Sequence, residues 1–445
     1  MSHPVPLPLE APDTSFLTSG GAFVRRSVLP SGVRVLTESV PGSSSTSIGF
    51  WVGVGSRDEQ EGQFGSTHFL EHLLFKGTAT RSALDIAIAF DSVGGEHNAA
   101  TAKEYTCYYA RVRDTDVPMA VGVIGDMVTK SVLDPEAFDV ERGVILEELA
   151  MAADDPADVA GEAFFAATFD SHPLGRPIGG TPESIRAVQR DEVLAHYRQH
   201  YAPNGIVVTA AGAVDHDRFC DLVAEVFQDA PKAAPLARRT PQPVADPAVP
   251  KLSVVHRPTE QVSMLRGSQG LDLRDERRPV LSVLNAVLGG GMSSRLFQEV
   301  RERRGLAYAV SSFAPAYLDN GAFGVYAGCA PDNVAGVVEI VDAEFRRMVD
   351  DGITSDELHR AKGQIEGALT LSLEDSDARM TRLGRAELGT GEFTDLATAL
   401  ERVDRVTPED VLALARDLLT RPTVTSVVGA VQEHELAAAI GIGGR

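Results

Sequence analysis

The sequence predicts an α+β protein of two homologous domains, each an α/β sandwich in which helices cover a mixed sheet, related by duplication. Three observations carry that expectation. Short strand-like segments are interspersed with long helical ones, a mixture that fits neither an all-α nor an all-β chain. A proline-rich stretch, APKAAPLARRTPQPVADPAVP, divides the chain near its middle. Past it, features of the first half return: Arg57-Asp58-Glu59 is echoed 217 residues later by Arg274-Asp275-Glu276, each just ahead of a helix, and ERGVIL at Glu141 is echoed by AKGQIE at Ala361.

Residues 1–25 are rich in Pro, Gly and Ser with little periodicity, and read as a mobile N-terminal arm. Alternating apolar residues over 33–40 and 48–54 predict two strands of one sheet. A helix over 66–75 is capped at Gly65 or Ser66 and stopped by Gly77, and a second spans 84–93. Gly94-Gly95 then breaks the chain into EHNAATAKEYTCYYARV, whose β-branched and aromatic content predicts a strand pair. Helices over 117–132, 135–152 and 157–169 and a strand over 205–211 complete a first domain, 26–229. Residues 230–250 form the linker, and 251–445 form the second domain, opening with a helix over 279–288.

The 445 residues are 43% hydrophobic and 23% charged, the balance of an ordinary globular protein. A formal charge of −22 excludes a nucleic-acid partner, because a phosphate backbone requires a basic surface, and would suit basic peptides. No apolar run is long enough to span a membrane, and the N-terminus lacks the apolar core of a signal peptide. Three widely spaced cysteines, Cys107, Cys220 and Cys329, form no paired motif, which points to a reducing cytoplasm.

The chemistry centres on His68-Phe69-Leu70-Glu71-His72, the inverted zinc-peptidase pattern H-x-x-E-H. Positions i and i+4 of a helix share a face, so both imidazoles can reach one ion. Glu71 falls at the edge of that face, where it can take a proton from a metal-activated water without binding the metal. Catalytic zinc takes three protein ligands and leaves a fourth position open, so a third ligand must come from elsewhere. The best region is ERGVILEELAM, which offers Glu141, Glu147 and Glu148; the motif does not choose among them.

The runs FGSTHFLEHLLFKGT, GGEHNAATAKEYTCYY, ERGVILEEL and LGGGMSSRLFQEVRERRGLAYAV resemble the pitrilysin/insulinase family, in the short-chain branch that includes mitochondrial processing peptidase and bacterial homologues. The resemblance implies one zinc per chain, with His68, His72 and Glu148 as ligands, since Glu148 lies 76 residues past His72 at the family's spacing. It also implies Glu71 as the base, Glu141 as a support for a ligand or the base, and Asn98-Ala99 as a substrate-binding strand edge. Arg301 and Tyr308 would contact substrate, acting across the interface of a homodimer that closes around a chamber. The second domain has lost the metal residues, because the repeat offsets carry His68, Glu71, His72 and Glu148 onto Asn285, Leu288, Gly289 and Ala368. The expected activity is a zinc metallo-endopeptidase for unstructured peptides or short protein segments; the alternative is a non-catalytic subunit that binds or scaffolds a heteromeric peptidase. His196 and His200, also four apart, lack an intervening acid in the right register and are not expected to bind metal.

Overall fold

The structure, a computed structural model, describes residues 3–11, 13–242, 244–245, 247 and 249–439. Its strands are β1 (Val5–Pro6), β2 (Asp13–Leu17), β3 (Phe23–Val28), β4 (Arg34–Ser39), β5 (Ser45–Val52), β6 (Glu96–Thr101), β7 (Thr106–Arg113), β8 (Ile206–Gly212), β9 (Lys251–His256), β10 (Val262–Gln269), β11 (Ala307–Phe313), β12 (Ala322–Cys329), β13 (Glu392–Phe393) and β14 (Val424–Gly429). The helices of the first repeat are α1 (Ser66–Leu74), α2 (Ala83–Asp91), α3 (Val117–Lys130), α4 (Pro135–Asp154), α5 (Pro156–Phe169), α6 (Pro182–Ala187), α7 (Arg190–His200) and α8 (His216–Val226). Those of the second repeat begin with α9 (Arg278–Gly289), α10 (Val334–Asp350), α11 (Ser355–Ser372) and α12 (Ser376–Arg385). No helix among the described residues is long and apolar enough to cross a membrane.

One compact unit holds a seven-stranded sheet in the order β2-β3-β4-β8-β5-β7-β6, and the other a five-stranded sheet in the order β9-β14-β10-β12-β11. The run β4-β8-β5-β7-β6 and the whole second sheet repeat one scheme: a parallel pair first (β4 with β8, β9 with β14), then three antiparallel pairings. That shared order is what a duplication predicts. Consecutive residues of each strand point to opposite faces, so Val35, Phe50 and Val208 enter a core with α1, α3 and α4, while Leu36, Trp51 and Val207 enter a second core on the reverse face.

The reverse faces are covered by an exchange that the linear domain boundaries do not anticipate. The first unit comprises described residues of Met1–Leu149, Pro177–Arg239 and Leu369–Ala399, and the second those of Ala150–Arg176, Thr240–Ala368 and Leu400–Arg445. Thus α12, which follows the linker, belongs to the first unit, where Met380 and Leu383 pack against Trp51 and Val207. Gly384 is required there, because a Cβ would lie 2.3 Å from the Trp51 ring. Reciprocally, α5 belongs to the second unit, where Ala160, Phe164 and Phe169 pack with Leu265, Val424 and Val428. The expected divisions at 26–229 and 251–445 therefore do not coincide with the compact units.

The expected arm at residues 1–25 is also corrected. Within it β1 pairs with β13, and β2 and β3 form an antiparallel hairpin that joins the large sheet through β4. The small polar residues of DTSFL carry too little hydrophobic signal to read as a strand alone; pairing with β3 satisfies their backbone groups. Residues 230–250 contain no helix or strand among those described.

The first unit also buries charge. Arg26 and Glu387 are both fully buried and pair bidentately at 2.9 and 3.2 Å, and Glu387 additionally accepts from Arg34 (3.4 Å) and Arg238 (2.9 Å). Removing one partner of a buried pair strands the other charge, so Glu387→Ala should lower the unfolding free energy by about 3–5 kcal/mol in chemical denaturation. Burial likewise pushes His196 and His216 down to about 4, below the ordinary 6.5; His216 Nδ1 lies 2.8 Å from Thr37 Oγ1 and its Nε2 2.9 Å from Ser27 Oγ. As pH falls from about 6.5 towards 4 the unfolded chain takes up protons that the folded chain refuses, so stability declines over that window and these two groups cost nothing above it. The melting temperature of His216→Asn should fall less steeply across that window than that of the wild type.

Candidate metal centre

Helix α1 begins at Gly65, whose left-handed conformation (φ 92°) suits glycine, and no side chain of the cap residue closes it. Glu59 does so from outside the helix: its carboxylate accepts from Gly65 N at 2.8 Å and Thr67 N at 2.7 Å. Inside the helix, Phe69, Leu70, Leu73 and Leu74 are buried, which turns His68, Glu71 and His72 towards the partly open side. The alignment with α4 is set by Phe69 stacked on Phe138 at 4.3 Å and 7°, with the Arg142 guanidinium 4.9 Å from the Phe138 ring.

This seam brings Glu148 over both histidines. Glu148 Oε2 lies 3.6 Å from His68 Nε2 and 3.3 Å from His72 Nε2, and one donor atom from each residue falls within 4.8 Å of the others. Donors at about 2.0–2.2 Å from one tetrahedral ion stand about 3.3–3.6 Å apart, so the separations of Glu148 from the two imidazoles suit a divalent cation such as zinc. The donor chemistry agrees. His72 Nδ1 is 3.1 Å from Glu141 Oε2, and since a carboxylate only accepts, Nδ1 carries the proton and the Nε2 lone pair faces Glu148. Burial, followed by the neighbouring His72, lowers the pKa of His68 and favours its neutral, metal-binding form. The His68 Nδ1 is buried with no hydrogen-bond partner among the described residues. The His72 Nε2 lone pair and the Glu148 carboxylate, 3.3 Å apart, repel unless a cation or a proton lies between them.

Of the three acids the motif left open, Glu148 joins the cluster and Glu147 does not. Glu141 is buried, bonds His72 and pairs with Lys76 Nζ at 2.7 Å, so it orients the imidazole from behind. Glu71 shares the half-open side of α1 with the histidines, and its Oε2 accepts from Thr101 Oγ1 at 2.5 Å. Asn98 and Ala99 lie on β6, the edge strand of the large sheet, opposite Tyr109 and Tyr108. Arg301 and Tyr308 lie in the second unit and meet each other: the guanidinium is 4.7 Å from the phenol ring and donates to the Tyr308 carbonyl at 3.0 Å. Tyr308 is 75% exposed.

Sequence reasoning did not find Lys76, Thr101 or Glu59, and it did not find the contact that His196 makes with α1. Lys76 lies one turn past His72 and Glu59 six residues before the cap at Gly65, spacings that could have suggested them; Thr101 and His196 act from distant segments and leave no local signal. His196 is fully buried, with Nε2 3.2 Å from Thr67 Oγ1, and braces the start of α1 without joining the metal cluster. His97 stacks on Phe90 at 4.2 Å.

Comparison with known proteins places these features in a lineage. Residues 34–182 match the model for insulinase (peptidase family M16), and residues 187–365 match that for the peptidase M16 inactive domain. An uncharacterised zinc protease of Streptomyces coelicolor is 48% identical over 94% of this chain and 92% of its own length. One from Mycobacterium tuberculosis is 46% identical over 91% and 93%, and one from Bacillus subtilis 37% identical over 91% and 98%. A crystal structure of a protease from Helicobacter pylori matches the fold with a TM-score of 0.85 at 20% identity, covering 96% of this chain and all of that one. A peptidase M16 inactive domain from Pseudomonas fluorescens matches with a TM-score of 0.83 at 20% identity, covering 94% of this chain and 97% of that one. The chain belongs to the insulinase family of peptidases, peptidase family M16.

Proposed function

We propose that this chain is a zinc metallo-endopeptidase that hydrolyses unstructured peptides or short protein segments. The observation that carries the reading is the convergence of His68, His72 and Glu148, with one donor atom from each within 4.8 Å of the others and Glu71 on the same helix but outside the donor set. Relatives named zinc proteases support zinc as the metal and peptide bonds as the target. His68, His72 and Glu148 would hold one ion per chain, with Glu141 and Lys76 fixing His72. Zinc there supplies Lewis acidity for a peptide carbonyl and a water acidic enough to deprotonate near neutral pH.

Glu71 takes the proton of the attacking water on its carboxylate and returns it to the departing amine, so one group serves as base and then acid. The β6 edge at Asn98-Ala99 binds an extended substrate through main-chain hydrogen bonds, which gives affinity with little demand on sequence. The Tyr308 phenol and the Arg301 guanidinium are donors suited to a developing oxyanion or a substrate carbonyl. In this reading two copies form a cytoplasmic homodimer in which Arg301 and Tyr308 serve the partner's centre, and a closed chamber admits flexible chains only. The acidic surface favours basic peptides. A non-catalytic scaffold would have no use for a complete donor set with its base, which favours the enzymatic reading.

Glu71→Gln should lower peptide turnover by about 10²-fold or more while elemental analysis still finds zinc. His68→Ala should lose the metal, and the activity with it. A Glu71→Gln chain mixed with an Arg301→Ala chain should regain part of the wild-type activity; no rescue after subunit exchange would rule out sites completed in trans.

A further inference from the structure

A helix fixes the Cα of Glu71 but leaves its carboxylate three rotatable bonds away. Among the described residues α1 itself supplies no hydrogen bond to that carboxylate: the neighbouring turns present His68 and His72, which face Glu148. The restraint comes from another element. Thr101, the last residue of β6, donates its hydroxyl to Glu71 Oε2 at 2.5 Å.

Thr101 is itself tightly held. It pairs with Thr106 across the β6–β7 hairpin, and Ala102 N donates to Tyr105 O at 2.8 Å to close the turn. The turn is clamped from outside, because Ser56 N donates to Ala102 O and Arg57 N to Lys103 O, both at 3.1 Å, and Thr106 Oγ1 donates to Val54 O at 3.0 Å. Gly55 allows this approach, since a Cβ there would lie 2.3 Å from Ala102 O. As a β-branched residue Thr101 has few χ1 options, so a fixed backbone gives a fixed hydroxyl.

We propose that Thr101 is a positioning residue for the general base: its hydroxyl occupies Glu71 Oε2 and leaves Oε1 as the oxygen that meets the attacking water. The assignment rests on the peptidase reading, and it ties the strand that would bind substrate to the carboxylate that would drive the reaction. A purely structural threonine would affect stability, whereas a positioning one affects turnover of enzyme that still binds metal and substrate.

The test compares zinc-loaded wild type, Thr101→Val, Thr101→Ser and Glu71→Gln on one fluorogenic peptide, with zinc content measured for each and a crystal structure of zinc-loaded Thr101→Val. Valine keeps the shape and removes the hydroxyl, so kcat should fall about tenfold to a hundredfold with KM within about twofold and zinc content unchanged. Serine restores the donor and should recover kcat to within about threefold of wild type. In the valine crystal the Glu71 carboxylate should leave the position it holds beside residue 101. A valine variant with wild-type kcat, a loss confined to KM or zinc content, no recovery with serine, or an unmoved Glu71 carboxylate would each overturn the assignment. An inactive wild type that binds zinc would overturn the peptidase reading instead, and the crystal would still decide whether Thr101 sets the carboxylate.

Discussion

The donor atoms of His68, His72 and Glu148 lie within 4.8 Å of one another although two come from α1 and one from a helix some seventy residues downstream. The packing of α1 on α4 enforces this. Phe69 lies flat on Phe138, and Arg142, which donates to the Ile185 carbonyl, stands over both rings. Ile145 is fully buried in the same core, one turn before the position of Glu148. Because side chains on a helix advance by about 100° per residue, the register that buries Phe138, Glu141 and Ile145 also decides which way Glu148 points. A slip of one residue would present Glu147 instead. The convergence of these side chains thus follows from core packing, which in a close-packed interior leaves little room for a shift in register.

What could be read in the sequence was whatever depends on local spacing. The four-residue interval between His68 and His72, the helix that carries them and the long helix around Glu148 follow from periodicity, and α1 and α4 end within a residue or two of their expected bounds. The choice among Glu141, Glu147 and Glu148 did not follow, since all three lie on one helix and only the tertiary register separates them. The strands at the N-terminus were missed because DTSFL gains its order from β3 and not from its own composition. Thr101 and the contact of His196 with α1 were missed for a related reason: each residue acts on α1 through a hydrogen bond to a residue far away in sequence.

The two units show how one strand order supports different surfaces. At the places the repeat offsets assign to the metal residues, α9 carries Asn285, Leu288 and Gly289, and Leu288 is buried in the second core. A buried leucine there strengthens packing where a polar, half-open residue would weaken it. The second unit is therefore free of the compromise that the first accepts in leaving His68, Glu71 and His72 partly open on a core helix. Its own polar feature, the Arg301–Tyr308 stack, sits where an edge strand begins, at a rim and not in a core.

The exchange of α5 and α12 has a consequence for synthesis on the ribosome. The reverse face of the large sheet carries Leu36, Trp51 and Val207, and the helix that shields them is translated after residue 375. Throughout most of elongation this hydrophobic surface lacks the cover that Met380 and Leu383 provide. The nascent protein is therefore exposed to aggregation until the last sixth of its chain emerges, and protection arrives with α12, well after the residues of the candidate metal centre have been made.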